Sequence, residues 1–312
     1  MLFSKLAIGS LALGLATTSP VDTNPSHHAL NPLEKRIHAA RPERADIRIA
    51  RRRVLPHIHQ RHYENFFKLK GRYQLWAQKG NETQQSRVLG AGDYEAVPRD
   101  TAHTFRALEL DTEMLGVIAP GGFEQLFFAQ GTNLTNPVQT AYVPQFDNET
   151  SAAGPDADKI SSLEAYDVYA QLDFEARTDL VDGAAPSGTG WHTGYNDLGE
   201  PSEPYFIANG WGPKYLNSAH GCYQIVAPLA TGVQTGETHF TMATVSISAV
   251  PDNGSGNGNG SVNVSVPVWE FDGATAFQVL EGRFAVTIAG HEEAELTTGD
   301  VVFIPSGTSF RY

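Results

Sequence analysis

Three histidines and a glutamate fall within one short segment of the chain, PHIHQRHYENFFKLKG, at residues 56–71. Alternate residues of a strand point to the same face, so His57 and His59 face one side if this segment is extended. Imidazole nitrogens and a carboxylate form a ligand set suited to Cu, Fe, Ni, Mn, Zn or Co. The segment therefore predicts a metal site that includes His57, His59 and Glu64, although a His-x-His pair alone is a weak signal.

A further histidine completes the set. His103 lies in a later β-rich stretch, GDYEAVPRDTAHTF, at residues 92–105. His62 stands three residues beyond His59, so a regular strand would turn it away from the other histidines. We interpret His62 as a surface or supporting histidine and expect the ligands to be three imidazoles and one carboxylate.

Composition limits the class of protein. Of the 312 residues, 41% are hydrophobic and 18% are charged, which is typical of a globular chain long enough for two domains. The net charge of -13 argues against nucleic-acid binding, because that function needs a basic surface. The single cysteine, Cys222, excludes an internal disulfide.

The first residues, MLFSKLAIGSLALGLATTSP, have the composition of a secretory leader. Lys5 precedes an apolar run that is too short to span a bilayer, and small residues follow it. We interpret residues 1–19 as a signal peptide and expect a secreted, extracellular glycoprotein that does not bind membranes. The predicted glycosylation sites are the Asn-x-Ser/Thr sequons at Asn81, Asn133, Asn148, Asn253, Asn259 and Asn263.

Short runs rich in aromatic and branched residues, separated by Gly, Asp, Asn and Pro, predict an all-β protein. Two of these regions are similar: FKLKGRYQLWAQKG (residues 67–80) resembles FQVLEGRFAVTIAG (residues 277–290), and a Gly-Asp turn and a Pro follow each copy. The repeat predicts two similar β domains, at residues 20–145 and 205–312, joined by a long surface linker at 146–204. We expect the arginine-rich residues 36–53 to lie outside the first domain.

The spacings H-x-H-x4-E-x6-G and G-x5-P-x4-H resemble the two metal motifs of the cupin superfamily. This resemblance implies jelly-roll β-barrel domains with a metal ion inside, and the duplication resembles a bicupin. PHIHQRHYENFFKLKGRYQLWAQ, PYFIANGWGPKYLN and AFQVLEGRFAV more closely resemble the fungal quercetin 2,3-dioxygenases, which are secreted, copper-dependent and flavonol-cleaving. The likeness runs from about residue 55 to residue 312.

The resemblance implies roles for individual residues. His57, His59, His103 and Glu64 match the metal ligands, and Glu64 also matches the base that accepts the flavonol 3-hydroxyl proton. One copper ion per chain is implied, although the same ligands would accept Fe, Ni, Mn or Co. The positions that match the family's substrate pocket are Phe66, Phe105, Met114, Ile118 and Phe123. From the residues alone, these five would be interpreted as core packing.

The second copy of the repeat lacks this ligand set. Residues Val268, Glu270, Thr275 and Phe310 stand where the first copy has its ligands. We therefore expect the second domain to be free of metal and to support the first domain structurally.

The implied reaction cleaves a flavonol such as quercetin with O2, giving a depside and carbon monoxide. Two alternatives remain open: another cupin metalloenzyme, such as an oxalate oxidase or decarboxylase using manganese, and a degenerate secreted cupin without catalysis. A small flavonol and O2 are the expected partners, and a homodimer is left open.

Overall fold

The computed structural model describes residues 3–10, 53–109, 112–130, 157–185, 197–218, 223–236, 240–248 and 267–312, the first range as backbone only. Strands dominate these residues and helices are few and short, so the all-β prediction is confirmed. No helix in the described ranges is long and apolar enough to cross a bilayer.

The elements are defined by their bounds in chain order. The strands are β1 (Phe3–Ser10), β2 (His57–Ile58), β3 (Tyr63–Lys70), β4 (Tyr73–Lys79), β5 (Gln85–Leu89), β6 (Tyr94–Val97), β7 (Thr101–Ala107), β8 (Glu113–Ala119), β9 (Tyr169–Ala170), β10 (Tyr205–Ile207), β11 (Tyr215–Asn217), β12 (Tyr223–Ala230), β13 (Thr241–Ser248), β14 (Thr275–Glu281), β15 (Arg283–Ile288), β16 (Ala294–Thr297), β17 (Val301–Ile304) and β18 (Phe310–Arg311). The helices are α1 (Glu124–Gln130), α2 (Ala157–Ser162), a 3-10 helix (Leu163–Tyr166) and α3 (Gly232–Thr235).

The internal repeat has the same local structure in both copies. β3 and β4 are joined at Gly71, and β14 and β15 are joined at Gly282. Both glycines have a positive φ, 70° and 89°, which residues with a Cβ rarely adopt. The turn signal on which the prediction depended is therefore present in each copy.

Two sheets make up the first half of the molecule. One has the strand order β5-β4-β7-β2-β9 and the other has the order β10-β6-β3-β8. Their apolar side chains meet in one buried cluster, which contains Phe66, Tyr73, Leu75, Ala77, Leu89, Val97 and Phe206, with Phe105 packed against it. Glu64 and Phe66 are two residues apart on β3 and therefore share a face of the strand. The predicted carboxylate ligand thus projects toward the same interior as Phe66.

The opposite face of β3 contacts the second half of the molecule. Tyr63 and Phe67 belong to a second buried cluster, together with Phe240 and Met242 from the beginning of the β13 region. The ring of Tyr63 meets the ring of Phe240 edge-to-face at 5.4 Å. The second half thus covers an apolar face of the first half, as its expected structural role requires.

The predicted domain boundaries differ from the observed strand pairing. β9, from the expected surface linker, pairs with β2, and Ala184 forms a bridge with Arg87 of β5. β10, from the expected second domain, pairs with β6 of the first half. Strands of two or three residues are too short to show an alternating pattern. Sequence reasoning therefore assigned residues 146–204, which include β9, to a linker.

Two further expectations concern the architecture as a whole. The hydrogen-bonded strands of the described residues form four sheets, and no closed barrel is detected among them. β1 lies between β13 and β14, although its residues were interpreted as part of a signal peptide. Cleavage of that leader remains a prediction, and the arginine-rich residues 36–52 lie outside the described residues.

Candidate metal centre

The predicted ligands converge because neighbouring strands carry them. His57 on β2 lies directly opposite His103 on β7, and Ala77 on β4 lies on the other side of His103. The ring centroids of His57 and His103 are 4.2 Å apart, and those of His57 and His59 are 4.8 Å apart. The pairing of β2 with β7 therefore brings together two motifs that are distant in sequence.

Each of the three histidines donates its Nδ1–H to a backbone carbonyl. The acceptors for His57, His59 and His103, in that order, are the carbonyl oxygens of Leu55 (2.7 Å), Asp167 (2.7 Å) and Thr101 (2.9 Å). A hydrogen bond at Nδ1 fixes the tautomer and the ring orientation, so Nε2 is the nitrogen available to bind a metal ion.

Glu64 supplies the carboxylate at the centre of this group. Its Oε2 atom lies 2.8 Å from Nε2 of His103 and 3.2 Å from Nε2 of His59. One potential ligand atom from each of the four residues lies within 4.8 Å of the others, and all four residues are buried. Three imidazole nitrogens and a carboxylate in this geometry fit a transition-metal ion.

Burial and hydrogen bonding act in opposite directions on the charges of the centre. Burial alone would raise the pKa of Glu64, but the hydrogen bonds to His103 and His59 hold that pKa well below its usual range. Burial and the neighbouring His103 lower the pKa of His57 to about 3. A negative carboxylate beside an imidazole that resists protonation is an environment suited to a bound cation.

The wall predicted to contact a substrate lies on the face of the sheet that carries Glu64. On β8, Ile118 pairs with Glu64 and Met114 pairs with Lys68, so both project to the interior side of this sheet. Met114 is 37% exposed, whereas Phe66 is 2% exposed. The wall is therefore closed at Phe66 and open to solvent along β8.

Two aromatic residues complete the predicted wall. Phe105 on β7 packs on Phe66 with ring centroids 5.5 Å apart. Phe123, just before α1, meets the ring of His59 edge-to-face at 5.0 Å. The five predicted pocket residues therefore lie on the elements around Glu64, and their contact with a substrate remains a prediction.

Two buried residues support the candidate ligands, and sequence reasoning assigned no role to the second of them, Asp167. His62 is buried, not at the surface, and its Nδ1 lies 2.7 Å from a carboxylate oxygen of Asp167. Asp167 follows the 3-10 helix in the region interpreted as a linker. No motif marks Asp167, because its partners lie more than 100 residues earlier in the chain.

The remaining site predictions lie away from the centre. Asn81 is exposed in the turn between β4 and β5, where a glycan would have room. The other five sequons and Cys222 lie outside the described residues. In the second copy, Phe310 replaces His103, is buried, and exchanges backbone hydrogen bonds with Trp269. The absence of metal from that half remains a prediction.

Three imidazoles and a carboxylate held within a protein built of β-sheets define a candidate transition-metal site of an all-β metalloprotein. A quercetin 2,3-dioxygenase from Aspergillus japonicus is 55% identical to this chain over 260 residues, which cover 83% of this chain and 71% of that protein. The chain belongs to the quercetin 2,3-dioxygenase family.

Other comparisons cover less of the relatives or are more distant. Quercetin 2,3-dioxygenase from Bacillus subtilis strain 168 is 38% identical over 79 residues, covering 25% of this chain and 22% of that protein. Solved oxalate decarboxylase structures from Bacillus subtilis and Lactobacillus farciminis match 83% of this chain at 13% and 10% identity, with TM-scores of 0.33 and 0.35. The matched parts are 61% and 68% of those chains. No protein-family model matches the chain.

Proposed function

We propose that this protein is a copper-dependent dioxygenase that cleaves flavonols such as quercetin with O2. The products are a depside, which retains both atoms of O2, and carbon monoxide, which carries away one ring carbon. No external reductant is needed, since the flavonol itself is oxidised. The observation that carries this proposal is the buried carboxylate of Glu64, which meets two imidazoles beside an apolar wall.

The histidines would hold the metal ion, with Glu64 at or next to it. When bound, a copper ion supplies a Lewis-acidic, redox-active centre for a flavonolate and O2. Copper is the proposal within a broader transition-metal assignment, because imidazole and carboxylate ligands alone do not select one metal. The Nδ1 hydrogen bonds would keep the three imidazoles oriented in the absence of metal.

Glu64 would act as the base for the substrate. In the metal-free protein its Oε2 atom accepts hydrogen bonds from His59 and His103. Those nitrogens cannot donate once they serve as metal ligands, so the carboxylate becomes free to accept the 3-hydroxyl proton. A carboxylate within hydrogen-bonding reach of that hydroxyl is well placed for general-base catalysis.

The apolar wall would orient a flat substrate and exclude water. Phe66 and Phe105 offer aromatic surface beyond Glu64, and Ile118 lies opposite Glu64 in the strand register. Aromatic and aliphatic walls with few polar groups suit a planar polyphenol. Phe123 would cover the His59 side of the centre.

The experiment is an assay of CO release and O2 uptake with purified, copper-loaded protein and quercetin. Equal amounts of CO and depside are expected. Consumption of oxalate in place of quercetin, or tight quercetin binding without CO release, would contradict the proposal and indicate the other cupin reaction or a non-catalytic binder. Elemental analysis of the active preparation identifies the metal.

Secretion is a further part of the proposal. A positively charged start and a short apolar run support it, as does the exposed position of the sequon at Asn81. Sequencing the amino terminus of protein secreted from a eukaryotic host tests cleavage near residue 19, and enzymatic deglycosylation tests for glycans. Sedimentation analysis of the same sample decides between a monomer and a homodimer.

A further inference from the structure

A single residue outside both metal motifs is bonded to the loop that joins two metal ligands. Asp167 is fully buried, and its carboxylate accepts hydrogen bonds from three consecutive backbone N–H groups. The donors are Gln60 (3.1 Å), Arg61 (2.9 Å) and His62 (3.0 Å). The imidazole Nδ1 of His62 adds a fourth bond at 2.7 Å.

The backbone of Asp167 reaches the metal ligand itself. Its carbonyl oxygen accepts the Nδ1–H of His59 at 2.7 Å. Asp167 therefore contacts His59 and also every backbone N–H from Gln60 to His62, within the interval between the ligands His59 and Glu64. We define these contacts as the Asp167 clamp.

We infer that Asp167 is a positioning residue for the metal centre, fixing the ring of His59 and the loop that leads to Glu64. This inference deepens the proposed function, since it concerns the same site. Partners of this kind, behind a ligating imidazole, hold its orientation, and their loss typically weakens metal binding about 10–100-fold. Here one residue supplies the imidazole acceptor and also stabilises the loop that carries it.

The backbone conformation at position 167 limits which residues can replace Asp167. Asp167 has φ 63°, in the left-handed region that few residues other than Gly, Asn and Asp adopt readily. Its N–H bonds back to the carbonyl of Glu164 and closes the 3-10 helix. An Asn at this position would keep the backbone geometry, but it would replace one acceptor oxygen with an NH2 group that faces N–H donors.

The clamp also extends to the predicted substrate wall. The ring of His62, held by Asp167, meets the ring of Phe123 edge-to-face at 5.7 Å. Phe123 in turn contacts His59 at 5.0 Å. A change at Asp167 should therefore alter the metal ligand and the side chain that covers it together.

The test compares Asp167→Asn and Asp167→Ala with the matched control Asp173→Asn, which changes an exposed aspartate in the same segment. Copper affinity is measured by competition with a chelator, and the Cu(II) electron paramagnetic resonance spectrum reports the ligand geometry. Thermal unfolding of the metal-free proteins reports the fold. We expect the Asp167→Asn protein to bind copper about 10-fold or more weakly with an altered spectrum, and the Ala variant to be weaker still.

Copper affinity and spectra equal to wild type in a folded Asp167→Asn protein would overturn the inference, as would equal losses in the Asp173→Asn control. If the Ala variant does not fold, the Asn variant decides, because it preserves the turn. These readouts need no flavonol turnover. Failure of the proposed function would appear as wild-type protein that binds copper with the affinity expected of the intact clamp but releases no CO from quercetin.

Discussion

His57 lies directly opposite His103 on adjacent antiparallel strands, with ring centroids 4.2 Å apart. Burial and this neighbour keep the pKa of His57 at about 3, so its imidazole is neutral at ordinary pH and ready to bind a cation. The strand register thus provides an unprotonated nitrogen at the centre before any metal arrives.

Removing His103 should abolish stoichiometric metal binding. His103→Ala deletes one imidazole ligand and the shorter of the two hydrogen bonds to Glu64. We expect the copper content of the purified protein to fall from about one per chain to a small fraction, measured by elemental analysis. His291→Ala, which changes an exposed histidine, is the control. A full complement of copper in His103→Ala would remove that residue from the ligand set.

Glu64→Gln should separate metal binding from turnover. Gln is nearly isosteric with Glu but carries no charge and accepts protons poorly, so the variant should retain much of its copper. We expect kcat to fall at least ~10²-fold, the usual range for a positioned base. Glu82→Gln, in the exposed turn after β4, is the control. Unchanged turnover would leave Glu64 as a ligand only.

Metal affinity should increase with pH. Burial alone would lower the pKa of His59, but the hydrogen bond and negative charge of Glu64 raise it above its ordinary value. A metal ion must displace the proton that His59 retains below its raised pKa, so affinity rises as pH approaches that pKa, by at most about tenfold per pH unit for one proton. Chelator competition at stepped pH measures the slope. Because Glu64→Gln lacks the carboxylate partner, its profile should be flatter near neutral pH, and equal profiles would contradict this account.

The buried carboxyl group of Glu95, in the first half of the molecule, should lower the free energy of unfolding. Glu95 lies opposite Phe66 and Phe206 in the strand register, is fully buried, and has no hydrogen-bond partner for either oxygen among the described residues. Replacing it with Leu removes an unsatisfied polar group, so the free energy of unfolding should rise by about 1–3 kcal/mol. Thermal and denaturant unfolding of the metal-free proteins measure the change. A less stable Glu95→Leu protein would indicate that the carboxyl has a partner in the functional enzyme.

The same group gives a pH dependence of definite sign. Burial, with the nearby charge of Glu64, raises the pKa of Glu95 well above its ordinary value of 4.5. Above pH 4.5 the unfolded chain loses this proton while the folded chain keeps it, so the contribution to stability falls as pH rises toward the folded pKa. The advantage of Glu95→Leu should therefore increase as pH rises above about 4.5 toward the raised pKa of the folded protein. A constant difference would show that Glu95 does not titrate in this way.

The sequence predicted the candidate ligands from strand alternation at His57 and His59 and from the resemblance of the longer spacings to two known metal motifs. His57 and His59 are separated by one residue, Glu64 is the second residue of β3, and His103 follows a Gly-Asp turn and a Pro. These are local patterns. The internal repeat predicted a strand, a glycine turn and a second strand in each copy, and the structure has these elements in both. Gly71 and Gly282 were predicted as turns for the same reason, and both have a positive φ.

The parts that could not be predicted depend on distant pairing. β9 has two residues, and Asp167 carries no motif, yet the first pairs with β2 and the second holds the loop after His59. Their region has helical patches and no strand-length alternating run, and local composition contains no information about partners so far away. The sequence left open whether His62 is a surface or a supporting histidine, because its position depends on Asp167.

The separation between His59 and Asp167, 108 residues, also sets an order of events during synthesis. His59 leaves the ribosome long before the residue that orients it, and contacts between such distant segments form slowly. During that interval the loop from Gln60 to His62 lacks the acceptors that Asp167 supplies in the folded protein. The hydrogen bond that orients the ring of His59 can therefore form only after Asp167 has been translated.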